Sequence, residues 1–440
     1  MSRDTIFALS SGAGRAAVAV VRLSGAQASA AVEALCGRRP APRRATLTRL
    51  RSPATGEILD RALTLWLPGP ASFTGEDCAE FHLHGGRAVI AGVIQALAAF
   101  PGCRVAEAGE FTRRAFFNGK MDLTAVEGLA DLIEAETKAQ RDQALRQLAG
   151  PLGRQAQAWR ERVLQASALV EAEIDFSDEG DVGALSLPAV RALLQPVRDE
   201  IARLIDRDGR RGERLREGFV VVIAGPPNAG KSTLLNALAR RDVAIVSPHA
   251  GTTRDVLEVS LDLDGLPIVL VDTAGLRESQ DPVEQEGVAR ARERARHADL
   301  VLWLEAVDEL SAGPAPEFST NTLRVATKID RGAVLPVGIE TAISALTGRG
   351  IDDLLGRLAA SAAENLVGAE SPLITRARHR EALLAAKEAL DRACAAPMDA
   401  MVELLAEDIR LAARRLGRIA GLIDTEEILR EIFARFCIGK

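Results

Sequence analysis

Gly225-Pro226-Pro227-Asn228-Ala229-Gly230-Lys231-Ser232 stands between an apolar run, Phe219-Val220-Val221-Val222-Ile223-Ala224, and a helix-forming stretch, Thr233-Leu234-Leu235-Asn236-Ala237-Leu238. The first run reads as a buried strand, so the order is strand, glycine-containing loop, helix. Glycines let backbone N–H groups wrap a phosphate, and the N-terminus of the helix adds its positive dipole end. In that reading Lys231 reaches the β- and γ-phosphates and Ser232 ligates Mg²⁺. A simple glycine turn ahead of an ordinary helix would call for neither side chain.

The segment that follows names the nucleotide. A second apolar run, Pro267-Ile268-Val269-Leu270-Val271, ends in Asp272-Thr273-Ala274-Gly275, placed for a water-mediated Mg²⁺ contact and a γ-phosphate-sensing glycine. Between the two runs lies Gly251-Thr252-Thr253-Arg254-Asp255, a polar loop that offers a threonine as a further metal ligand. Leu323-Arg324-Val325-Ala326-Thr327-Lys328-Ile329-Asp330 reads as a strand ending in a base-reading loop. Asp330 can accept from both N1–H and the exocyclic amine of guanine, donors that adenine does not present together. Ser344-Ala345-Leu346 follows one more strand and backs the base. Each tetrad alone is weak; in this order after a phosphate loop they specify a GTP-binding domain of the Ras-like α/β type.

Composition sets outer limits. The 440 residues suggest about three domains. No apolar run approaches the ~18 residues of a membrane helix, and the N-terminus, with Arg3, Asp4 and Arg15, lacks a secretory signal profile. Five cysteines occur with no C-x-x-C pair, which argues against structural zinc and fits a reducing cytoplasm. A net charge of −6 requires any nucleic-acid contact to use a local basic patch.

Residues 1–118 carry short β-rich runs between Gly/Pro turns, with one clear helix near Gly86 to Phe100, and read as an α+β domain. Residues 119–215 are helical: Val190, Leu194, Val197, Ile201 and Leu204 form one face, and Gly150-Pro151 breaks a helix. Residues 216–375 hold the strand–helix alternation of the GTP-binding domain, and residues 376–440 return to helix, with a stripe Val402, Leu405, Ile409, Ala412, Leu416, Ile419 and a capping box at Asp424-x-x-Glu427. The fold class is therefore multidomain, α+β then helical, with an α/β domain inserted into the helical part. An insert needs its two ends close together, so a nucleotide-driven change in it would push on the helices.

Chemistry beyond binding is less explicit. Leu276 follows Asp272-Thr273-Ala274-Gly275 where Ras-type enzymes hold a water-positioning glutamine, and leucine cannot orient water. The nearby carboxylates Glu278, Asp281, Glu284 and Glu286 read, on spacing alone, as solvated charges. No arginine finger can be named, but Asn228 inside the phosphate loop offers a neutral oxygen, so a monovalent cation could supply the missing positive charge. His82 and His84 alternate along a strand without further ligands for a metal. Phe436-Cys437-Ile438-Gly439-Lys440 places a cysteine just behind a helix, a position that by itself is usually incidental.

Taken together, Ser72-Phe73-Thr74-Gly75-Glu76-Asp77, His84-Gly85-Gly86, Gly109-Glu110-Phe111-Thr112-x-Arg114-Ala115-Phe116-x-Asn118-Gly119-Lys120-x-Asp122-Leu123, Ile174-Asp175-Phe176, the GTPase tetrads and the terminal Phe436-Cys437-Ile438-Gly439-Lys440 resemble the MnmE (TrmE) family of bacterial tRNA-modification GTPases over the full length. The resemblance implies an N-terminal domain that dimerises the protein and binds a 5-formyl-tetrahydrofolate-type cofactor through Arg22, Glu80, Lys120 and Lys440. It implies a K⁺ site at Asn228, Ser247, His249 and Thr252, within a nucleotide-contacting loop Ser247-Pro248-His249-Ala250-Gly251-Thr252-Thr253. It assigns Mg²⁺ to Ser232 and Thr253, water orientation to Glu284, and a functional part to Cys437. The GTP contacts run through Asn228, Ala229, Gly230, Lys231, Ser232 and Thr233. The implied partners are tRNA and the FAD-dependent MnmG protein in a heterotetramer, and the implied product is a carboxymethylaminomethyl-type group on C5 of a wobble uridine.

One departure stands out: the family's guanine loop usually reads Asn-Lys-x-Asp, and here it is Thr327-Lys328-Ile329-Asp330. Threonine lacks the amide donor, so contacts with guanine N7 and with the phosphate loop are expected to weaken, while Asp330 keeps guanine preferred. A GTPase switch acting in ribosome assembly is the alternative reading, since such factors share Thr-Thr-Arg-Asp and Asp-Thr-Ala-Gly. They usually append a basic RNA-binding module, and the C-terminal stretch here is a mixed-charge helical stripe.

Overall fold

The computed structural model describes residues 4–12, 14–175, 187–245, 258–272, 298–308, 321–332, 339, 341–368, 370–397, 401–423, 426–436 and 439. The chain divides into two compact units, one of residues 1–130, 147–165 and 410–440 and the other of residues 131–146 and 166–409.

The first unit is built on a six-stranded sheet. Its strands are β1 (Thr5–Leu9), β2 (Ala16–Ser24), β3 (Thr46–Arg51), β4 (Ile58–Leu67), β5 (Cys78–Gly85) and β6 (Cys103–Val105), in spatial order β3-β4-β5-β2-β1-β6. All neighbours are antiparallel except β1 and β6. Helices α1 (Ala28–Cys36) and α2 (Arg87–Ala98) cover one face, where Val32, Leu35, Val93 and Leu97 pack on Val21, Leu50, Phe81 and Leu83. The alternation in β5 is clean: Ala79, Phe81 and Leu83 are buried, whereas Glu80, His82 and His84 point away. Only the second of these helices is expected from texture. The first is Ala-rich and only nine residues long, and like the other it has no side-chain cap, no acidic residue in its first turn and no basic one in its last.

Beyond the sheet come α3 (Glu110–Phe117), α4 (Leu123–Glu134), α5 (Lys138–Leu148) and α6 (Pro151–Asp175). Asp122 caps α4, its carboxylate accepting from the Ala125 N–H at 2.8 Å. Pro151 opens α6, where its missing N–H costs nothing. The chain's last two helices are α12 (Val402–Ala420) and α13 (Glu426–Arg435). In α12 Leu405, Ile409, Ala412, Leu416 and Ile419 are buried, as the stripe requires. Leu429, Ile432, Phe433 and Phe436 of the last turns form a core with Leu123 and Val126. Gly109, at φ 66°, admits the Phe433 side chain to 2.9 Å of where a Cβ would stand. Asp424 lies outside the described residues.

The second unit carries a sheet of β7 (Phe219–Ala224), β8 (Glu258–Leu263), β9 (Leu266–Asp272), β10 (Leu300–Ala306), β11 (Thr322–Thr327) and β12 (Thr341–Ala342), ordered β12-β11-β10-β7-β9-β8. Every pair is parallel except the β8–β9 hairpin, whose turn uses Asp264 and Gly265 at positive φ. Strands β7 and β9 are Val/Ile/Leu runs because a parallel sheet is covered on both faces. Besides most of α5 and the end of α6, the unit's described helices include α7 (Leu187–Asp208), α8 (Arg211–Glu217), α9 (Lys231–Ala239), α10 (Ile351–Leu366) and α11 (Ala377–Ala395). The five residues of the α7 stripe are all buried.

The chain enters and leaves this sheet at one place. Gly212 of α8 lies so close to the Ile374 carbonyl that a Cβ would collide with it. Arg211 Nη2 donates to the Glu370 carbonyl at 2.5 Å, and the Asp208 carboxylate accepts from the N–H groups of Leu373 and Ile374 at 2.6 and 3.0 Å.

Candidate functional site

The phosphate loop leaves β7 through Gly225, whose φ of 150° and closeness to the Leu304 carbonyl exclude any side chain. Asn228 at φ 61° and Gly230 at φ 91° complete the turn, and Gly230 caps α9 in a left-handed conformation. Lys231 Nζ lies across the loop, donating to the carbonyls of Gly225 and Pro226 at 2.9 Å each. Ser232 Oγ donates to Asp272 Oδ2 at 2.9 Å. The register of β7 with β9 pairs Ile223 with Asp272 and so brings the end of one strand beside the helix that follows the other. A hydroxyl and a carboxylate at a helix N-terminus form an oxygen pair suited to Mg²⁺.

The base-reading loop is equally defined. Lys328, at φ 60°, turns the chain from β11 into a short 3₁₀ turn, Ile329–Arg331, and its ammonium lies 3.3 Å from Asp308 Oδ1. Asp330 is exposed, and the buried Ser344 hydroxyl donates to its Oδ1 at 2.5 Å. That hydrogen bond, more than anything else, holds the Asp330 carboxyl below its ordinary value. It is therefore ionised and ready to accept two N–H donors. A cleft of about 590 Å³ runs from Ser232 and Thr233 in the first turn of α9 to Ala345, Leu346 and Gly348. Leu346 is 83% exposed there, an apolar surface for a base to lie on.

Thr327 corrects one expectation. Its hydroxyl donates to the Ala229 carbonyl of the phosphate loop at 2.6 Å, so the link between the two loops is kept without an asparagine. A hydroxyl placed directly against a carbonyl replaces the longer amide.

In the first unit, Arg22 of β2 and Glu80 of β5 are cross-strand partners, with Arg22 Nε donating to Glu80 Oε1 at 3.0 Å. His82 Nε2 lies 3.2 Å from the other oxygen of Glu80, so the histidine is engaged by a carboxylate neighbour on its own strand. The Arg22 guanidinium sits 5.6 Å from the centre of the Phe73 ring and 5.8 Å from that of Phe111. Lys120 Nζ donates to the Pro70 carbonyl at 2.9 Å.

The stretch 70–77 connects these groups. Phe73 underlies Arg22, Thr74 Oγ1 meets Ser24 Oγ at 2.7 Å, and the Thr74 carbonyl accepts from Asn118 Nδ2 at 2.7 Å. Spacing could not reveal this hub; its composition, polar groups beside aromatics, was the only signal. Gly439 of the terminal pentapeptide lies on the end of β1, its carbonyl accepting from Ser10 Oγ at 2.8 Å.

A second group escaped sequence reasoning. Arg104 donates to both oxygens of Glu110 at 2.8 and 2.6 Å, Arg114 donates to Glu110 at 3.1 Å and to Glu76 at 3.1 Å, and Arg104 also engages Asp4. Burial would raise the Glu110 pKa; the hydrogen bonds from Arg104, the Glu107 N–H and Arg114 outweigh it and hold the carboxyl at about 2.

Ser247, Pro248, His249, Ala250, Gly251, Thr252 and Thr253 lie outside the described residues, as do Thr273, Ala274, Gly275, Leu276, Glu284, Cys437 and Lys440. Among the described residues no group of three or more His, Cys, Asp or Glu side chains is arranged to hold a metal ion.

Residues 5–120 match the family described as GTP-binding protein TrmE N-terminus, and residues 123–437 match the MnmE helical domain. The tRNA modification GTPase MnmE of Methylorubrum populi is 58% identical over 437 residues, covering 99% of this chain and 98% of its own. That of Rhodopseudomonas palustris (strain ATCC BAA-98 / CGA009) is 54% identical over 445 residues, covering 100% and 99%. Among solved structures, the G domain of the T. maritima FeoB iron transporter is similar at 26% identity and a TM-score of 0.24, over 32% of this chain and 98% of that one. With helical and N-terminal families both matched and relatives similar from end to end, the chain belongs to the MnmE family of tRNA modification GTPases.

Proposed function

We propose that this member of a tRNA modification GTPase family is a K⁺-stimulated enzyme that works with the FAD-dependent MnmG protein to place a carboxymethylaminomethyl-type group on C5 of a wobble uridine, drawing one carbon from a 5-formyl-tetrahydrofolate. The observation that carries the reading is the phosphate loop itself, with Lys231 across it and Ser232 tied to the Asp272 carboxylate.

Lys231 would exchange its two carbonyl partners for β- and γ-phosphate oxygens, and the first-turn N–H groups of α9 would cradle the chain of phosphates. Ser232 and Thr253 would hold Mg²⁺, which supplies charge neutralisation between those phosphates. Asn228, Ser247, His249 and Thr252 would hold K⁺ in place of an arginine finger. Glu284 would orient water, because Leu276 cannot. Asp330 accepts from the guanine edge, and Ala345 and Leu346 back the ring. Glu284→Ala should then lose most hydrolysis while keeping GTP affinity within a few-fold.

Around Arg22 the fit to a folate rests on chemistry present in the site. Glu80 offers an acceptor, Phe73 and Phe111 offer flat apolar faces, and Lys120, which donates to the Pro70 carbonyl, is a cation suited to a glutamyl carboxylate. Lys440 would join it from the terminal pentapeptide. Homodimerisation through the same region is supported by the open sheet face, where Val18, Leu47 and Leu63 are 53%, 60% and 44% exposed. Residues 216–375 then act as the nucleotide-responsive insert, and residues 119–215 and 376–440 as the helices it acts on. No helix among the described residues is long and apolar enough to cross a membrane, and Cys36, Cys78, Cys103 and Cys394 are free thiols, which supports a cytoplasmic setting.

Mass spectrometry of wobble nucleosides from a deletion strain tests the reading. Loss of the C5-modified uridine is expected, and an unchanged nucleoside profile would overturn it. Equilibrium dialysis with 5-formyl-tetrahydrofolate separates it from a ribosome-assembly switch, which has no reason to bind the folate.

A further inference from the structure

The departure at position 327 carries an inference about how this chain reads its nucleotide. Thr327 closes β11, is 4% exposed, and sits directly below the phosphate loop: its Oγ1 is 2.6 Å from the Ala229 carbonyl and 3.7 Å from where a Gly230 Cβ would stand. The next nearest acceptor, the Glu305 carbonyl, is at 3.4 Å and competes poorly. A hydroxyl has one proton to give. Here it is committed to Ala229, whose own residue is 1% exposed, so the carbonyl has no solvent to fall back on. Guanine N7 is an acceptor, and an oxygen whose proton is spent cannot donate to it. An asparagine amide carries two protons and could serve both the loop and the base.

We propose that Thr327 is a positioning residue that fixes the phosphate loop to the guanine loop, and that it leaves N7 of the base unread. Guanine is then selected without N7, through its N1–H and exocyclic amine on Asp330, which Ser344 holds in place. The inference rests on the GTP-binding reading of the cleft and extends it to the recognition chemistry of the base.

The experiment measures equilibrium binding of GTP and of 7-deaza-GTP, in which N7 is replaced by C–H, to the full chain and to three variants. The unaltered chain should bind the two within about two-fold, since no hydrogen bond is lost. Thr327→Val, equal in shape but without the proton, should bind GTP about ten-fold more weakly and lose 7-deaza-GTP in the same proportion, because the loop and not the base is affected. Thr327→Ser should restore GTP binding to within about two-fold. Thr327→Asn should bind GTP at least as well as the unaltered chain and now prefer it over 7-deaza-GTP by about five-fold.

Preference of the unaltered chain for GTP over 7-deaza-GTP by five-fold or more would overturn the unread N7. Normal GTP binding by Thr327→Val would overturn the tether, and so would failure of serine to rescue. Should Thr327→Val melt well below the others, the serine and asparagine variants decide both points. Absence of GTP binding by the unaltered chain would instead sink the GTPase reading and this inference with it.

Discussion

The nucleotide cleft and the Arg22 site are built by opposite strategies. In the cleft, one strand–loop–helix forms the phosphate loop: Gly225, Asn228, Gly230, Lys231 and Ser232 are near neighbours in the chain, and their spacing is dictated by backbone geometry. At the other site Arg22, Phe73, Glu80, Phe111 and Lys120 come from separate elements, and only sheet register and one irregular stretch bring them together. The first kind of site tolerates few substitutions but is readable in any sequence. The second is assembled by tertiary structure, so no local pattern announces it.

The largest expected effect tests whether the distributed site depends on the chain's far end. Gly439 rests on Ser10 at the end of β1, whereas Phe436 belongs to the core formed with Leu123 and Val126. Deleting Cys437 to Lys440 while keeping Phe436 should therefore abolish tRNA modification and leave GTP hydrolysis and thermal stability nearly intact. Normal levels of modified wobble uridine in cells carrying only the truncated chain would separate the tail from the Arg22 site. Lost GTPase activity would make the tail structural.

Next in size is the cation. With Leu276 unable to position water and no arginine finger evident, hydrolysis should fall on the order of 10³-fold when K⁺ is replaced by Na⁺ at equal ionic strength, by analogy with the loss of such a finger. Steady-state phosphate release checks it. Equal rates in the two salts would mean that Asn228 and the loop 247–253 hold no catalytic ion.

How much was legible follows from the same contrast. Strands β7, β9 and β11, the stripes of α7 and α12, and the break at Gly150-Pro151 follow from period and from glycine and proline chemistry. Helix α1 is not legible for another reason: Ala28, Ala31, Val32 and Leu35 keep the helical spacing, but only over nine residues, with small side chains at half of those positions. The Thr327 contact could not be foreseen, since a sequence shows which donor was lost but not how near the acceptor lies. Asp4, Glu76, Arg104, Glu110 and Arg114 are unreadable as a network: each alone is an ordinary charge, and the pairing of β1 with β6 and the fold of residues 70–77 against α3 make them neighbours.

That network gives the third prediction. Glu110 titrates near 2 in the folded chain, against 4.5 for an ordinary glutamate. A depressed carboxyl contributes stability that is fully present above its unfolded value and is lost as pH falls through its folded one. Here the window runs from about 4.5 down to about 2, and the contribution is on the order of 3 kcal/mol. Glu110→Gln should lower the melting temperature at pH 7 and flatten the acid limb of the stability curve in that window. The two melting curves converging only above pH 7 would show that the carboxylate is not the group responsible.

The smallest expected effect sharpens the account of the cleft. Ser344 is the main reason that the Asp330 carboxyl lies below its ordinary value, and Asp330 must be ionised to accept both guanine donors. Affinity for GTP should therefore hold as pH is lowered and fall only when Asp330 takes up a proton. Ser344→Ala removes the hydrogen bond to the carboxylate, so the acid limb of GTP binding should move to higher pH, towards that of an unperturbed aspartate. At pH 7 the variant should lose only about five-fold in affinity, since one donor to an exposed carboxylate is replaced by water. Titrating binding from pH 7 to 4 in both proteins separates the two contributions. A uniform loss at every pH would assign Ser344 to loop geometry alone, whereas coincident curves would leave Asp330 to set its own ionisation.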